Sequence, residues 1–153
     1  MFGYLFDPDY FIYAEDLDLG LRIRLNGKKL VFGPNSIMYH MHAVTMQKKS
    51  EAFSTFLMER NLLTTFFKIL SVKNIILLMP YVLFARFFAI AKDLLTLKFN
   101  LVFSRLKAIF FVLYNFNLIL KKRRHTQKFR KADDDYILNI FTEKYLFRPK
   151  FIV

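Results

Sequence analysis

The stretch Tyr10-Phe11-Ile12-Tyr13-Ala14-Glu15-Asp16-Leu17-Asp18-Leu19-Gly20-Leu21-Arg22 decides how the front of this chain reads. Three carboxylates fall within four residues, after an aromatic run and before a helix-like pattern. Leu17 and Leu21 stand at i, i+4, with Ile23 and Leu25 less cleanly placed, and Asp16 or Asp18 is positioned to cap the helix. Asn26-Gly27 ends it with C-cap chemistry. Short apolar runs follow at residues 29–32 and 37–40, parted by Gly33-Pro34-Asn35, and read as two strands. Helix, strand, turn, strand fits the edge of an α/β sheet. Upstream, Asp7 before Pro8 favours a turn.

Residues 50–70 are helical in pattern. Apolar side chains recur at Phe53, Phe56, Leu57, Leu63, Phe66, Phe67 and Leu70, with Arg60, Asn61 and Lys68 between them. Residues 74–91 are nearly all apolar, broken only by Pro80 and Arg86. A bilayer span takes about 20 apolar residues, and a central arginine is costly in lipid. This run therefore reads as an interfacial or buried helix kinked at Pro80, or as half of a hairpin. Residues 100–120 read as one more long apolar helix, ending in Lys121-Lys122-Arg123-Arg124, with Lys128, Arg130 and Lys131 beyond. Asp133-Asp134-Asp135 is expected to cap a last helix over residues 136–145, before an extended tail at Pro149.

The bulk numbers narrow the class. The chain has 153 residues, 55% of them apolar and 20 of them Phe, which excludes a disordered chain and suits one average domain. It has no cysteine, hence no disulfide framework and no thiolate chemistry. The net charge of +12 is uneven: eight basic and seven acidic residues precede Ser71, and sixteen and five follow. A basic, Phe-rich segment suggests an anionic membrane surface or an acidic polymer. No base-stacking pattern or DNA-reading helix accompanies the basic run, so no nucleic-acid partner is expected. Asp7, Asp9 and Glu15 come too early for a secretory signal, and a cytoplasmic setting is expected.

Each polar cluster has two readings. Glu15, Asp16 and Asp18 suit the first turn of a helix, yet three acids exceed what a cap requires. Carboxylates are also the groups that abstract protons and hold divalent metals. His40-Met41-His42, on a strand, would put both imidazoles on one face, although two ligands do not make a metal site. Asp133 to Asp135 contains an Asp-x-Asp spacing but sits between a basic run and a short helix, so it reads as an N-cap.

The order of elements resembles a known family. Phe6-Asp7-Pro8-Asp9-Tyr10 through Arg22, then Gly27, Pro34 and Tyr39-His40, is similar to the C-terminal half of the catalytic domain of inverting family 2 glycosyltransferases. The similarity is strongest to the rhamnosyltransferase and galactofuranosyltransferase-like branch. Glu59-Arg60-Asn61-Leu62-Leu63 through Lys68 resembles the Arg-Asn helix that follows that domain. The resemblance implies a GT-A fold, a nucleotide-diphosphate-sugar donor and a divalent metal, Mn²⁺ or Mg²⁺. It places the catalytic base on Asp16, acceptor contacts on Glu15 and Asp18, and a metal ligand on His40, 24 residues after the base. His42 is outside the family pattern.

The expectation is thus an α/β N-terminal piece, a partial GT-A domain over residues 1–70. A mainly α-helical, membrane-associating region over 71–131 and a short helix and tail over 132–153 follow it. The expected activity is metal-dependent hexosyl or pentosyl transfer to a saccharide or lipid-linked acceptor of the cell envelope, at the cytoplasmic face of an anionic membrane. The family's donor-binding strands and Asp-x-Asp motif would precede Met1. The chain is accordingly expected to be a piece that needs its N-terminal half and is inactive alone. The alternative is a non-catalytic membrane-surface or assembly module in which the acids only cap a helix.

Overall fold

The computed structural model describes residues 4–31, 33–35, 37 and 50–138. Their regular structure is helical: α1 (Glu15–Leu25), α2 (Glu51–Ile69), α3 (Val72–Leu95), α4 (Phe99–Tyr114), α5 (Phe116–Gln127) and α6 (Asp134–Leu138). No strand forms among the described residues. Lys29, Leu30 and Val31 are irregular and exposed. The expected α/β N-terminal piece is therefore overturned. A short apolar run makes a strand only when a ladder partner satisfies its backbone, and among the described residues none stands beside this one. Residues 38–40 of the second expected strand lie outside the described residues.

α1 starts differently from the expectation. Its N-cap is Ala14, in left-handed conformation with Tyr13 before it (φ 59° and 70°), and no side chain caps it. Glu15, Asp16 and Asp18 lie inside the first turn, where the positive end of the helix dipole favours them. Its other end is a Schellman turn. Lys28 N–H donates to Ile23 O and Gly27 N–H to Arg24 O, with Gly27 at φ 69°.

α2 and α3 begin on serine caps: Ser50 accepts Phe53 N–H and Ser71 accepts Asn74 N–H. Pro80 lies within α3 without ending it. The single helix expected over residues 100–120 is two, α4 and α5, bent by 68° at Asn115. The Asn115 amide donates back to Phe111 O, an interaction that competes with helix continuation.

α2 is the central helix. Ser50 and Glu51 share a cleft with Phe99 and Leu101, and Phe67 stacks edge-on with Phe116, so α2 and α4 run in the same direction. α3 runs back from the end of α2 to the start of α4 and packs on α4. Leu63, Val112 and Ile119 form one core with Phe67, Val82 and Ile109 around it. Leu21, Leu25, Ile69 and Ile137 form a second, joining α1, α2 and α6. α5 crosses the C-terminal end of α2 and caps it. Arg123 donates to Phe67 O and Leu70 O, and Gln127 to Lys68 O and Ile69 O. These are the carbonyls a helix end leaves without intrahelical partners.

Candidate functional site

The site is built on the loop before α1, and one face of α2 fixes that loop. Asn61, Thr64, Thr65 and Lys68 recur at helical spacing on α2 and are buried. The Asn61 amide donates to Ile12 O (2.9 Å) and Tyr13 O (2.7 Å). Arg60 donates to Asp9 O and to the Asn61 side-chain oxygen, both at 2.9 Å. Together they hold the strained Tyr13–Ala14 turn, whose left-handed residues cost about 1–3 kcal/mol each.

Beneath the loop lies a sealed ion cluster. Lys68 Nζ sits 2.7 Å from Asp7 Oδ2 and 2.7 Å from Asp18 Oδ1, with all three side chains fully buried. Asp18 also takes Arg22 Nε at 2.7 Å. Arg22 donates to the carbonyls of Tyr4 and Leu5. Lys122 of α5 pairs with Asp7 and Asp9. Burial pushes the Asp7 carboxyl up, but hydrogen bonds from Lys122 and Lys68 outweigh it and bring it down to about 2. Burial, with the Asp7 charge behind it, pushes the Tyr4 hydroxyl up to about 12. Tyr10 is raised for the same first reason, and its hydroxyl lies 2.7 Å from Thr65 Oγ1.

The three acids of the opening stretch therefore separate. Asp18 was expected to touch an acceptor or support the helix start. It is fully buried and occupied by Lys68 and Arg22, so it acts from inside the fold. Glu15 is half-buried, with one carboxylate oxygen enclosed and without a hydrogen-bond partner. Asp16 is exposed, and its Oδ1 accepts the Leu17 N–H at 2.7 Å. Two clefts open nearby. One of about 230 Å³ lies between Asp9, Arg60, Asn61, Phe111, Leu118 and Lys122. Another of about 270 Å³ is lined by Tyr13, Met58, Glu59 and Arg105. Asp16 lines neither.

Among the described residues no three metal-ligating side chains gather. His40 and His42 lie outside the described residues, so the described donors alone do not build a metal centre. Asp133 Oδ1 accepts Tyr136 N–H at 2.8 Å, the geometry of a cap. Asp134 is buried and accepts from Ser71 N–H, the Asn74 amide and Arg130. Burial raises the Asp134 carboxyl, and these hydrogen bonds outweigh it and lower it. The basic run is divided as well. Lys122, Arg123 and Arg130 turn inward, while Lys121, Arg124, Lys128 and Lys131 are exposed.

Reading the sequence alone missed the Asp7–Lys68 pair, because 61 residues separate its members. One signal was present: Asn61, Thr64 or Thr65, and Lys68 make a polar stripe at i, i+3/4, i+7 on an otherwise apolar helix. Compared with family models, curated proteins and solved structures, the chain matches none of them.

Proposed function

We propose that this chain carries the acceptor-side part of an inverting glycosyltransferase that uses a nucleotide-diphosphate sugar at the cytoplasmic face of an anionic membrane. One observation carries the reading. Of the five carboxylates on or around the loop, Asp7, Asp9 and Asp18 are paired with cations and Glu15 is half-buried. Among the described residues of this group Asp16 alone stands exposed without a cation, in the first turn of α1, just past the loop that Asn61 and Arg60 hold in place. That is the disposition a general base requires: a fixed carboxylate, open to a substrate, beside others already occupied.

In the proposed step an acceptor hydroxyl attacks the anomeric carbon as the bond to the nucleoside diphosphate breaks. The hydroxyl proton passes to the Asp16 carboxylate and the configuration inverts. Glu15 lines the acceptor side, and Asp18 holds the helix start through Lys68 and Arg22. Mn²⁺ or Mg²⁺ would neutralise the departing diphosphate, with His40 as the ligand this chain contributes.

The test is sugar incorporation from a panel of nucleotide-diphosphate sugars, in membranes carrying the chain together with a donor-binding partner. Asp16→Asn should lower the rate by about 10²–10⁴-fold, the usual weight of acid–base catalysis, with helical circular dichroism unchanged. Asp133→Asn should leave the rate alone. A wild-type rate in Asp16→Asn overturns the assignment. The competing reading, a non-catalytic membrane-surface or assembly module, is favoured by one observation, that Asp16 lines neither cleft. No transfer with any donor would select it.

A further inference from the structure

We propose that the outward face of α3, with the adjoining flank of α4, is immersed in the hydrocarbon of a phospholipid bilayer containing anionic lipid. This deepens the membrane part of the function proposed above and rests on that part alone.

The first observation is which surface the protein leaves uncovered. Ile76, Phe84, Phe87 and Phe88 on α3, and Phe103 and Phe110 on α4, are each 63–71% exposed. Their spacing puts each set on one side of its helix. Soluble monomers seldom expose a continuous apolar patch beyond a few hundred Å². α3 is long and apolar enough to cross a membrane, and only 6% of its most apolar window is buried within the protein. A core helix of a soluble protein would be enclosed; here Asp93 is the one buried residue of α3.

The second observation is where the charges go. Arg86, the residue that made this segment costly in lipid, turns inward, with Nε 3.3 Å from Glu59 of α2. Arg105 of α4 pairs with the same Glu59 and, at 2.7 Å, with Asp93. Two arginines and two acids thus close a neutral network between α2, α3 and α4. Lys107, the exposed cation within α4, leans toward α2, with Nζ 5.0 Å from the Phe56 ring centre. The face left outside is uncharged over most of its length.

The third observation is what borders that face. Lys73 lies at one end of α3, and Lys92 and Lys98 lie at the other, all exposed. Lys121 and Arg124 on α5, and Lys128 just past its end, add exposed cations. Cations around an apolar surface fit anionic headgroups, each worth about 1 kcal/mol near such a membrane. Long lysine stems reach the headgroups from an immersed backbone.

The chain has no cysteine, so single cysteines report without background. Phe84→Cys, Phe110→Cys and, as a control beside α6, Tyr136→Cys would each carry an environment-sensitive fluorophore. Each would be mixed with vesicles of phosphatidylcholine, with and without phosphatidylglycerol. The expected result is a blue shift and loss of iodide quenching at 84 and 110 but not at 136, with tighter binding when phosphatidylglycerol is present. The proposal is overturned if labels at 84 and 110 stay open to iodide on vesicle-bound protein. It is equally overturned if the protein does not sediment with either vesicle, if phosphatidylglycerol has no effect, or if the labels become protected by self-association without lipid. Asp16→Asn should leave every one of these readings unchanged. Immersed labels without sugar transfer would therefore sink the enzymatic reading alone, and exposed labels with transfer intact would sink this one alone.

Discussion

Two ion clusters divide this molecule. The first, Asp7, Asp18, Arg22 and Lys68, is sealed by protein, with side chains no more than 1% exposed. The second, Glu59, Arg86, Arg105 and Asp93, keeps 7–19% exposure and lies under the apolar face of α3 and α4. The first ties a loop and α1 to α2, and Lys122 extends it to α5. The second ties three long helices to one another. Burying a charge is expensive unless it is paired and hydrogen-bonded. The sealed cluster meets that demand entirely within the protein, around the turn that presents Asp16. The open cluster meets it so that the opposite face can stay apolar.

The comparison breaks first at Lys68. Its ammonium is shared by two buried carboxylates, so Lys68→Met leaves Asp7 with Lys122 and Asp18 with Arg22, each short of a partner. Removing one member of a buried ion set costs about 3–5 kcal/mol. Guanidinium unfolding followed by circular dichroism should show a loss of that order. Asp7→Asn in the same background should recover part of it. A loss under about 1 kcal/mol would mean that the cluster is wetter than its burial indicates.

Acid sharpens the same side of the comparison by a smaller amount. The folded Asp7 pKa is lowered from 3.8 to about 2. A depressed carboxylate contributes stability that is fully present above the unfolded value and lost as pH falls through the folded one. Between pH near 4 and pH near 2 the protein should therefore lose about 2 kcal/mol from this group. Unfolding free energies across that window check it, and Asp7→Asn should remove that part of the slope.

The two clusters were unequally legible in the sequence. The ends of α2 could be read from Ser50 and the apolar spacing, and the end of α1 from Asn26-Gly27, because caps and turns are local chemistry. The bend at Asn115 could not. Residues 100–120 are apolar on both sides of it, and neither Gly nor Pro marks it. The strand expected over 29–32 rested on residue type alone, and a short apolar run does not distinguish a strand from an extended surface segment. At the site, Glu15, Asp16 and Asp18 were visible as a group. Their separation into an open acid and a buried one depends on Lys68, fifty residues beyond Asp18 in the chain. Likewise Arg86 looked like an obstacle to membrane contact until Glu59 was found beside it.

The smallest expected effect tests the open cluster at Glu59. In Glu59→Gln, Arg105 keeps Asp93, but Arg86 loses the carboxylate that neutralises it and keeps its hydrogen bond to Val82 O. Partly exposed pairs of this kind contribute about 1 kcal/mol or less in water, because solvent screens them. Unfolding of the detergent-free protein should change by no more than that, well below the Lys68→Met loss. With vesicles present the balance differs, since an unpaired arginine midway along an immersed helix costs about 3 kcal/mol on insertion scales. Glu59→Gln should therefore weaken vesicle binding far more than it weakens folding, and Glu59→Asp should restore part of the binding. Equal effects in the two assays would show that the open cluster, like the sealed one, serves only to hold the helices together.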